Sequence, residues 1–349
     1  MKGDTRLKGF HGLVGQEALV EWLHHAIESN RVAHAYLISG ESGSGKRTLA
    51  GAFAGALLCQ EQTTGACGQC GSCRLIEAGN HPDVAIVEPQ AGRIRIDQIR
   101  GLKDKFALQS YAGGWKVGTI IDAEVMTEAA ANSLLKLLEE PSGQAVIMLL
   151  SSNPSMLLPT IVSRCQMIKM NRLPRAKIAA YLEDEYGISW ETAMVIAGLA
   201  DGCLGQARVI AGADSLVWKD RVLAVMTDER ARGLEALRLA AALDNEPDAI
   251  EFVLHVLTTW FRDLLLVAKG CPRELVVHQD HFTHLLAQSK TYETLACQEA
   301  VFQIEDTLRA IRSNANRRLA LDALFYQIAD LTSLSKASEV CDYGKSSRS

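Results

Sequence analysis

The stretch SGESGSGKRTLAGAFAGALLC, residues 39–59, joins a glycine-rich loop to a run of small apolar residues. Residues 40–46 match seven of the eight positions of the phosphate-binding loop pattern, Gly-x-x-x-x-Gly-Lys-Ser/Thr, and the apolar segment HAYLIS (34–39) before them suits a buried strand. Strand, glycine loop and helix stand in the order that lets backbone N–H groups surround phosphate oxygens at a helix N-terminus. The stretch therefore predicts a P-loop fold rather than an ordinary glycine-rich turn.

The loop keeps the residues that contact phosphate and loses one that would hold magnesium. Lys46 would reach the terminal phosphates of a nucleotide. The next position requires a hydroxyl, but the residue there is Arg47, and Thr48 follows one place late. The residues expected around a nucleotide form a degenerate site: Gly40, Gly43, Ser44, Gly45, Lys46, Thr48 and Asp122.

The second half of an ATPase site is altered as well. The apolar strand VGTIID (117–122) ends at Asp122, but the next residue is Ala123 and the carboxylate is Glu124. Because a shift of one residue at a strand end turns a side chain toward the opposite face, Glu124 is poorly placed to orient an attacking water. The two departures predict that hydrolysis is lost. Nucleotide binding without turnover stays open, since the loop glycines and Lys46 survive.

Four cysteines lie within fifteen residues, in the spacing C-x7-C-x2-C-x2-C: Cys59, Cys67, Cys70 and Cys73. Four thiolates close a tetrahedral zinc site with no open position, which is a structural rather than a catalytic arrangement. An iron–sulfur cluster and unligated core thiols are the alternatives, and the polar, glycine-rich surroundings favour zinc over both. His81 is a conceivable extra ligand, but NHPD (80–83) is more typical of a turn before a strand.

Composition bounds the remaining function classes. The 349 residues carry a formal net charge of -5, so no global basic field indicates nucleic acid. Apolar runs such as residues 145–150 are too short to span a bilayer, and MKGDTRLKGFHG (1–12) lacks the apolar core of a signal peptide. The expected location is the cytoplasm, where disulfides are rare.

Four short apolar runs predict the strands of a parallel α/β sheet: residues 34–39, 83–89, 115–122 and 144–152. Between the last two, a helix is expected to start at a Thr127 cap and to end before Pro141. After residues 173–174 only helical periodicities remain. The predicted units are a P-loop domain (1–172) with a cysteine module (about 59–80), a small helical domain (173–211), a larger helical domain (212–335) and a disordered tail (336–349).

The motifs stand in one order with IIDAEVMTEAAANSLLKLLEEP (120–141) and PTIVSRC (159–165). Together they resemble the AAA+ (RecA-like) clamp-loader subunits of bacterial DNA polymerase III, over nearly the whole chain. The resemblance implies an inserted zinc module in the P-loop domain, a helical lid domain and an all-α collar that joins subunits. SNANRRLALDALFYQI (313–328) is similar to the terminal collar helix, although its apolar stripe also suits a local helical core.

The family contains motor subunits, gamma and tau, that hydrolyse ATP, and a subunit type that does not. Motors keep Gly-Lys-Thr/Ser and Asp-Glu-Ala, whereas this chain has GKRT and DAE. Where motors carry a phosphate-sensing Arg in Gly-x-x-Arg-x-Ala, GCLGQA (202–207) has Gly205. The chain therefore resembles the non-hydrolysing type. The rivals are an active gamma/tau-like ATPase and a zinc-dependent nucleic-acid-binding protein.

The resemblance also implies a role for Arg164 and a set of partners. The Arg of the SRC motif would act as an arginine finger in a neighbour's ATP site, supplied in trans. Expected partners are gamma/tau and delta subunits, and through them the sliding clamp and primer–template DNA, within a DNA-directed DNA polymerase holoenzyme. The phosphate-sensing residue after the fourth strand would be Ser152 or Asn153. The basic stretch 92–106 is more typical of a solvated helix face than of a DNA contact.

Overall fold

The computed structural model describes residues 10, 13–61, 65–111, 114–139, 143–228 and 232–328. The chain forms two compact units. Unit 1 comprises Met1–Leu173 with Cys203–Gly205, and unit 2 comprises Pro174–Gly202 with Gln206–Ser349. Pro141, residues 329–335 and the tail predicted to be disordered, 336–349, lie outside the described residues.

Unit 1 is built on a parallel sheet of five strands: β1 (Ala35–Ser39), β2 (Val84–Val87), β3 (Lys116–Ile120), β4 (Ala145–Ser151) and β5 (Gln166–Lys169). Their order across the sheet is β2-β3-β4-β1-β5. The predicted parallel α/β class is confirmed, and each of the four predicted strands is present. All positions of β1, β3 and β4 are buried, as continuous apolar runs predict.

The helices of unit 1 are α1 (Glu17–Glu28), α2 (Lys46–Leu58), α3 (Gly71–Glu77), α4 (Ile96–Ala107), α5 (Glu128–Glu139) and α6 (Pro159–Val162). They cover both faces of the sheet. Alternate residues of β1 divide between two cores, with Leu37 packing in the core of α4 and α5 and Tyr36 in the core of α1 and α2. Thr127 caps α5 as predicted, because its Oγ1 accepts the N–H of Ala130 at 3.3 Å.

Strand β5 is absent from the sequence-based prediction. It lies at the sheet edge beside β1 and buries only Ile168, so it lacks the apolar run that indicated the other strands. Its first residue follows the SRC motif directly. The edge position therefore explains why hydrophobicity did not reveal it.

Unit 2 contains no strand among its described residues. Its helices are α7 (Arg175–Tyr186), α8 (Trp190–Leu199), most of α9 (Leu204–Ile210), α10 (Ala213–Thr227), α11 (Arg232–Asn245), α12 (Pro247–Ala268), α13 (Phe282–Gln288), α14 (Thr294–Arg312) and α15 (317–328). The separation of lid and collar at residues 211–212 stays a prediction.

The apolar stripe predicted within residues 313–328 is mostly buried in unit 2, where it includes Leu321, Leu324 and Ile328. Leu319 differs, because it is 70% exposed. Of the described helices, none alone has the length and apolar character to cross a bilayer, and one bent pair, Trp190–Leu199 with Leu204–Ile210, passes by length and composition only.

Candidate functional site

The phosphate-binding loop leaves the sheet at the carboxyl end of β1 and enters α2 at Lys46. Gly43 and Gly45 have φ of 80° and 96°, in the left-handed region that favours glycine. Gly45 occupies the N-cap of α2, and the first N–H groups of the helix lack intrahelical partners. The predicted loop, with its strand and helix, is therefore present.

Lys46 is turned onto its own loop. Its Nζ donates to the carbonyl oxygens of Gly40 at 2.6 Å and Glu41 at 2.9 Å, and lies 3.0 Å from Ser152 Oγ. The residue is only 8% exposed. Burial lowers the pKa of Lys46, while the charges of Glu124 and Asp122 oppose the shift.

Arg47, Thr48 and Asp122 occupy the positions at which a magnesium ion would be expected. Arg47 forms an ion pair with Glu88, which directly follows β2. Thr48 and Asp122 are exposed, and Asp122 has a left-handed φ of 51°. The structure thus brings Lys46 to the loop, where it bonds the carbonyl oxygens of Gly40 and Glu41.

Glu124 lies closer to the loop than its displacement in sequence suggested. Its Oε1 accepts the backbone N–H of Ser152 at 2.9 Å, at the end of β4. Its Oε2 is buried and has no hydrogen-bond partner within the described part of the chain. Ser152 links this carboxylate to Lys46, whereas Asn153 Oδ1 accepts from Ser155 Oγ at 2.5 Å. Ser152, not Asn153, is therefore the residue of the pair that contacts Lys46.

Residues distant in sequence also contact the loop. The N–H of Gly205 donates to the carbonyl of Gly43 at 2.9 Å. Glu41 pairs with Arg172, and the Sγ of Cys203 lies 3.8 Å from Glu41 Oε2. Sequence reasoning compared Gly205 with the motor Arg but missed Glu41 and Arg172, because no local pattern marks a pair 131 residues apart.

The four predicted metal ligands meet in one cluster. The ligand atoms of Cys59, Cys67, Cys70 and Cys73 all lie within 4.8 Å of one another. The sulfurs of Cys67 and Cys73 are 3.9 Å apart, against about 3.8 Å expected for a tetrahedral site with 2.3 Å zinc–sulfur bonds. The cluster could therefore bind a metal ion.

Backbone N–H groups support thiolates in this cluster. The N–H groups of Gln69 and Cys70 point at the sulfur of Cys67, at 3.4 and 3.3 Å, and that of Cys73 points at the sulfur of Cys70 at 3.4 Å. Burial opposes ionisation of Cys70, but N–H groups of Cys73 and Gln60 lower its pKa to about 6. These contacts are those that a bound thiolate uses.

His81 is not part of the cysteine cluster. Its Nδ1 accepts the N–H of Asp83 at 3.1 Å, so Nε2 carries the proton and donates to Ser72 Oγ at 2.8 Å. The N–H of Val84 closes a turn on the His81 carbonyl at 3.1 Å. This backbone hydrogen bond confirms the predicted turn before the strand. Both ring nitrogens are engaged outside the cysteine cluster.

Arg164 lies just beyond α6 on the surface of unit 1. Its Nη2 donates to Glu139 Oε1 at 2.7 Å, and Nη1 donates to the Thr160 carbonyl at 3.0 Å. The side chains of Arg164 and Glu139 are 37% and 48% exposed. The guanidinium is therefore accessible while it is paired within its own unit.

The basic stretch 92–106 contains α4. Its five basic side chains are exposed, and they are Arg93, Arg95, Arg100, Lys103 and Lys105. Arg100 lies 3.8 Å from Asp97. Since Ile99, Leu102 and Phe106 pack against the sheet, this is the solvated face of an amphipathic helix, as the sequence predicted.

A glycine loop after the central β1, a parallel sheet in the order β2-β3-β4-β1-β5 and helices on both faces define a P-loop protein of the AAA+ class. A crystal structure of a DNA polymerase III gamma subunit-related protein from Thermotoga maritima has a similar fold, with a TM-score of 0.50 at 20% identity, covering 90% of this chain and 99% of that one.

Sequence comparisons narrow the class. The family described as DNA polymerase III, delta subunit, matches residues 15–174. The DNA polymerase III subunit delta′ of Pseudomonas aeruginosa is 36% identical over 316 residues, 86% of this chain and 92% of that protein. The delta′ subunit of Bacillus subtilis is 39% identical over 162 residues, 46% of this chain and 49% of that protein. The chain belongs to the DNA polymerase III delta′ subunit family, so the resemblance drawn from its motifs is confirmed and the gamma/tau alternative is not favoured.

Proposed function

We propose that the chain is a non-hydrolysing delta′ subunit of the DNA polymerase III clamp loader, which helps to load the sliding clamp onto primed DNA. The state of its own nucleotide site carries the proposal. Lys46 is bonded to its own loop, Arg47 to Glu88, and Glu124 to the N–H of Ser152. Three side chains at the positions that contact phosphate, magnesium or water in a motor subunit therefore have other partners.

Loss of hydrolysis follows from the chemistry of phosphoryl transfer. Catalysis in P-loop proteins depends on placing Mg²⁺ and an oriented water at the terminal phosphate. Arg47 brings a positive charge where a hydroxyl should hold the cation. Ala123 is fully buried and offers no carboxylate at the position next to Asp122. We therefore assign no turnover to this site.

Arg164 supplies the active contribution of this subunit, as a finger in the ATP site of a neighbouring gamma/tau motor. An arginine finger is worth about 10³-fold or more in turnover at the site that it enters. Exposed ion pairs are worth about 1 kcal/mol or less, so Glu139 holds the guanidinium near its position at little cost to its release. The exposure of Arg164 supports this role.

The remaining groups serve assembly. We assign structural Zn²⁺ to the four thiolates, which would stabilise the module between α2 and β2. The helices of residues 212–335 would form the collar that joins gamma/tau and delta subunits. Primer–template DNA would be contacted through the complex, and a role in replication places the chain in the cytoplasm.

ATP turnover tests the proposal. The purified chain alone should show no turnover. Its mixture with gamma/tau and delta subunits should hydrolyse ATP, and Arg164→Ala should remove the contribution of the one ATP site that Arg164 enters. Glu139→Gln is the matched control, because it breaks the same ion pair but keeps the guanidinium, and it should leave turnover unchanged.

Two results would contradict the proposal. Turnover by the chain alone that Lys46→Ala abolishes would identify a working motor site. An equal loss in Arg164→Ala and Glu139→Gln would assign the effect to the ion pair and not to a finger.

A further inference from the structure

Three residues far along the chain lie on the phosphate-binding loop. Cys203–Gly205, here named the closing segment, belongs to unit 1 although its neighbours in sequence belong to unit 2. The N–H of Gly205 donates to the carbonyl of Gly43, at 2.9 Å. A Cβ atom at position 205 would lie 2.8 Å from that oxygen and 3.0 Å from the Cα of Gly43. Both are backbone atoms, so rotating a side chain cannot relieve the clash.

The polar groups inside the loop are already used or occluded. An ammonium group has three N–H donors, and Lys46 has three acceptors, at 2.6, 2.9 and 3.0 Å. The hydroxyl of Ser44 is buried without a hydrogen-bond partner among the described residues, and a Cβ at Gly40 would lie 2.8 Å from it. A phosphate that bound here would have to replace one of these three acceptors of Lys46.

We propose that Gly205 keeps the phosphate-binding loop closed, and that the lack of a side chain at this position is what excludes nucleotide from it. The inference deepens the proposed function and rests on it, because a subunit that turned over ATP would have to break the Gly205–Gly43 contact in every cycle. The sequence left open whether the site binds nucleotide without turnover. A closed loop means that it does not bind nucleotide.

Closure lowers the apparent affinity for nucleotide because only molecules with an open loop can bind it. When only a fraction of molecules has the loop open, the apparent dissociation constant is the intrinsic one divided by that fraction. Gly205→Ala places a methyl group against the Gly43 backbone and removes the geometry of the hydrogen bond. The closed form is thereby weakened, and the open fraction rises.

The experiment measures binding of a fluorescent ATP analogue with Mg²⁺ to the full chain. The wild type should not saturate at millimolar concentration, and Gly205→Ala should bind at least about tenfold more tightly. Gly101→Ala is the matched control, because a Cβ there meets no atom within 4 Å in the same unit. It should bind as weakly as the wild type.

Ser152→Ala gives a second route that does not depend on how well Gly205→Ala folds. It removes one of the three acceptors of Lys46 and should tighten binding in the same direction, by a smaller factor. Amide hydrogen exchange of residues 40–46 should be slow in the wild type, unchanged by added ATP, and faster in both variants.

The outcomes separate this inference from the proposed function. Tight binding by the wild type without turnover would overturn closure by Gly205 and leave the non-hydrolysing role intact. Equal weak affinity in the wild type, Gly205→Ala and Ser152→Ala would also overturn it. Turnover by the wild type would overturn both.

Discussion

Arg47 and Glu88 form an ion pair across unit 1, joining the first turn of α2 to the residue after β2. Arg47 stands at the position where the loop pattern requires a magnesium-binding hydroxyl, and the ion pair engages its guanidinium. Its two side chains are exposed, so the pair contributes little to stability.

Restoring the missing hydroxyl should not restore ATP turnover. Arg47→Thr returns the loop pattern to Gly-Lys-Thr, but Glu124 remains bonded to Ser152 and Gly205 remains on Gly43. We expect no turnover in a steady-state phosphate-release assay. Glu88→Gln, which frees Arg47 without adding a hydroxyl, serves as the control. Appreciable turnover by Arg47→Thr would show that a single residue disables the site.

Removal of one cluster thiol should release the metal ion and destabilise the chain. Cys70→Ser leaves three thiolates, and structural zinc sites need four ligands. We expect metal content to fall to well under one ion per chain by elemental analysis, and the melting temperature to fall with it. A chelator should lower the melting temperature of the wild type and not that of the variant.

Cys271→Ser is the matched control for that measurement, since Cys271 is a free thiol outside the cluster. It should retain the metal ion of the wild type. Iron rather than zinc in the wild type would contradict the zinc assignment, and no bound metal in the wild type would contradict a metal site altogether.

Asp263→Asn should stabilise the chain increasingly as the pH rises from about 4 to about 6. Asp263 Oδ2 accepts the N–H groups of Val277 and His278 at 2.9 and 2.8 Å, and burial raises the pKa of Asp263 from 3.8 to about 6. Between these values the folded state binds the extra proton, so the wild type loses stability as the pH rises. The amide oxygen of Asn accepts the same two bonds without that penalty.

Urea unfolding of both proteins from pH 4.5 to 7.5 checks this prediction. Their difference in unfolding free energy should grow by about 1.4 kcal/mol per pH unit and level off above pH 6, at roughly 3 kcal/mol. Burial lowers the pKa of His278 to about 3, but this effect is common to both proteins and cancels in the difference. A difference that does not change with pH would contradict the prediction.

The sequence predicted those strands of the sheet whose burial requires a continuous run of apolar residues. Strands such as β4 are buried on both faces, so each of their residues is apolar or small, and the run is visible without any partner. Strand β5 buries one residue of four, so its existence depends on pairing with β1 and not on its own pattern. Edge strands of this kind are fixed by tertiary contacts.

In the nucleotide site, too, the sequence predicted local patterns but not contacts between residues distant in sequence. The loop, its displaced carboxylate and the cysteine spacing are local patterns, and the structure contains all three. The partners of Lys46 and Glu124 are not local, because Ser152 lies 106 residues from one and 28 from the other. A one-residue shift indicated that Glu124 had left the position of a catalytic base, but only the fold reveals that its carboxylate accepts from the end of β4.

Helix α2 begins at Lys46 and ends at Leu58, and Cys59 follows as its C-cap. Its 13 residues span about 20 Å, with the phosphate-loop lysine at one end and a cluster thiol at the other. The phosphate-binding loop and the cysteine cluster are therefore attached to opposite ends of one helix. Unfolding of α2 would therefore disturb the phosphate-binding loop and the cysteine cluster together.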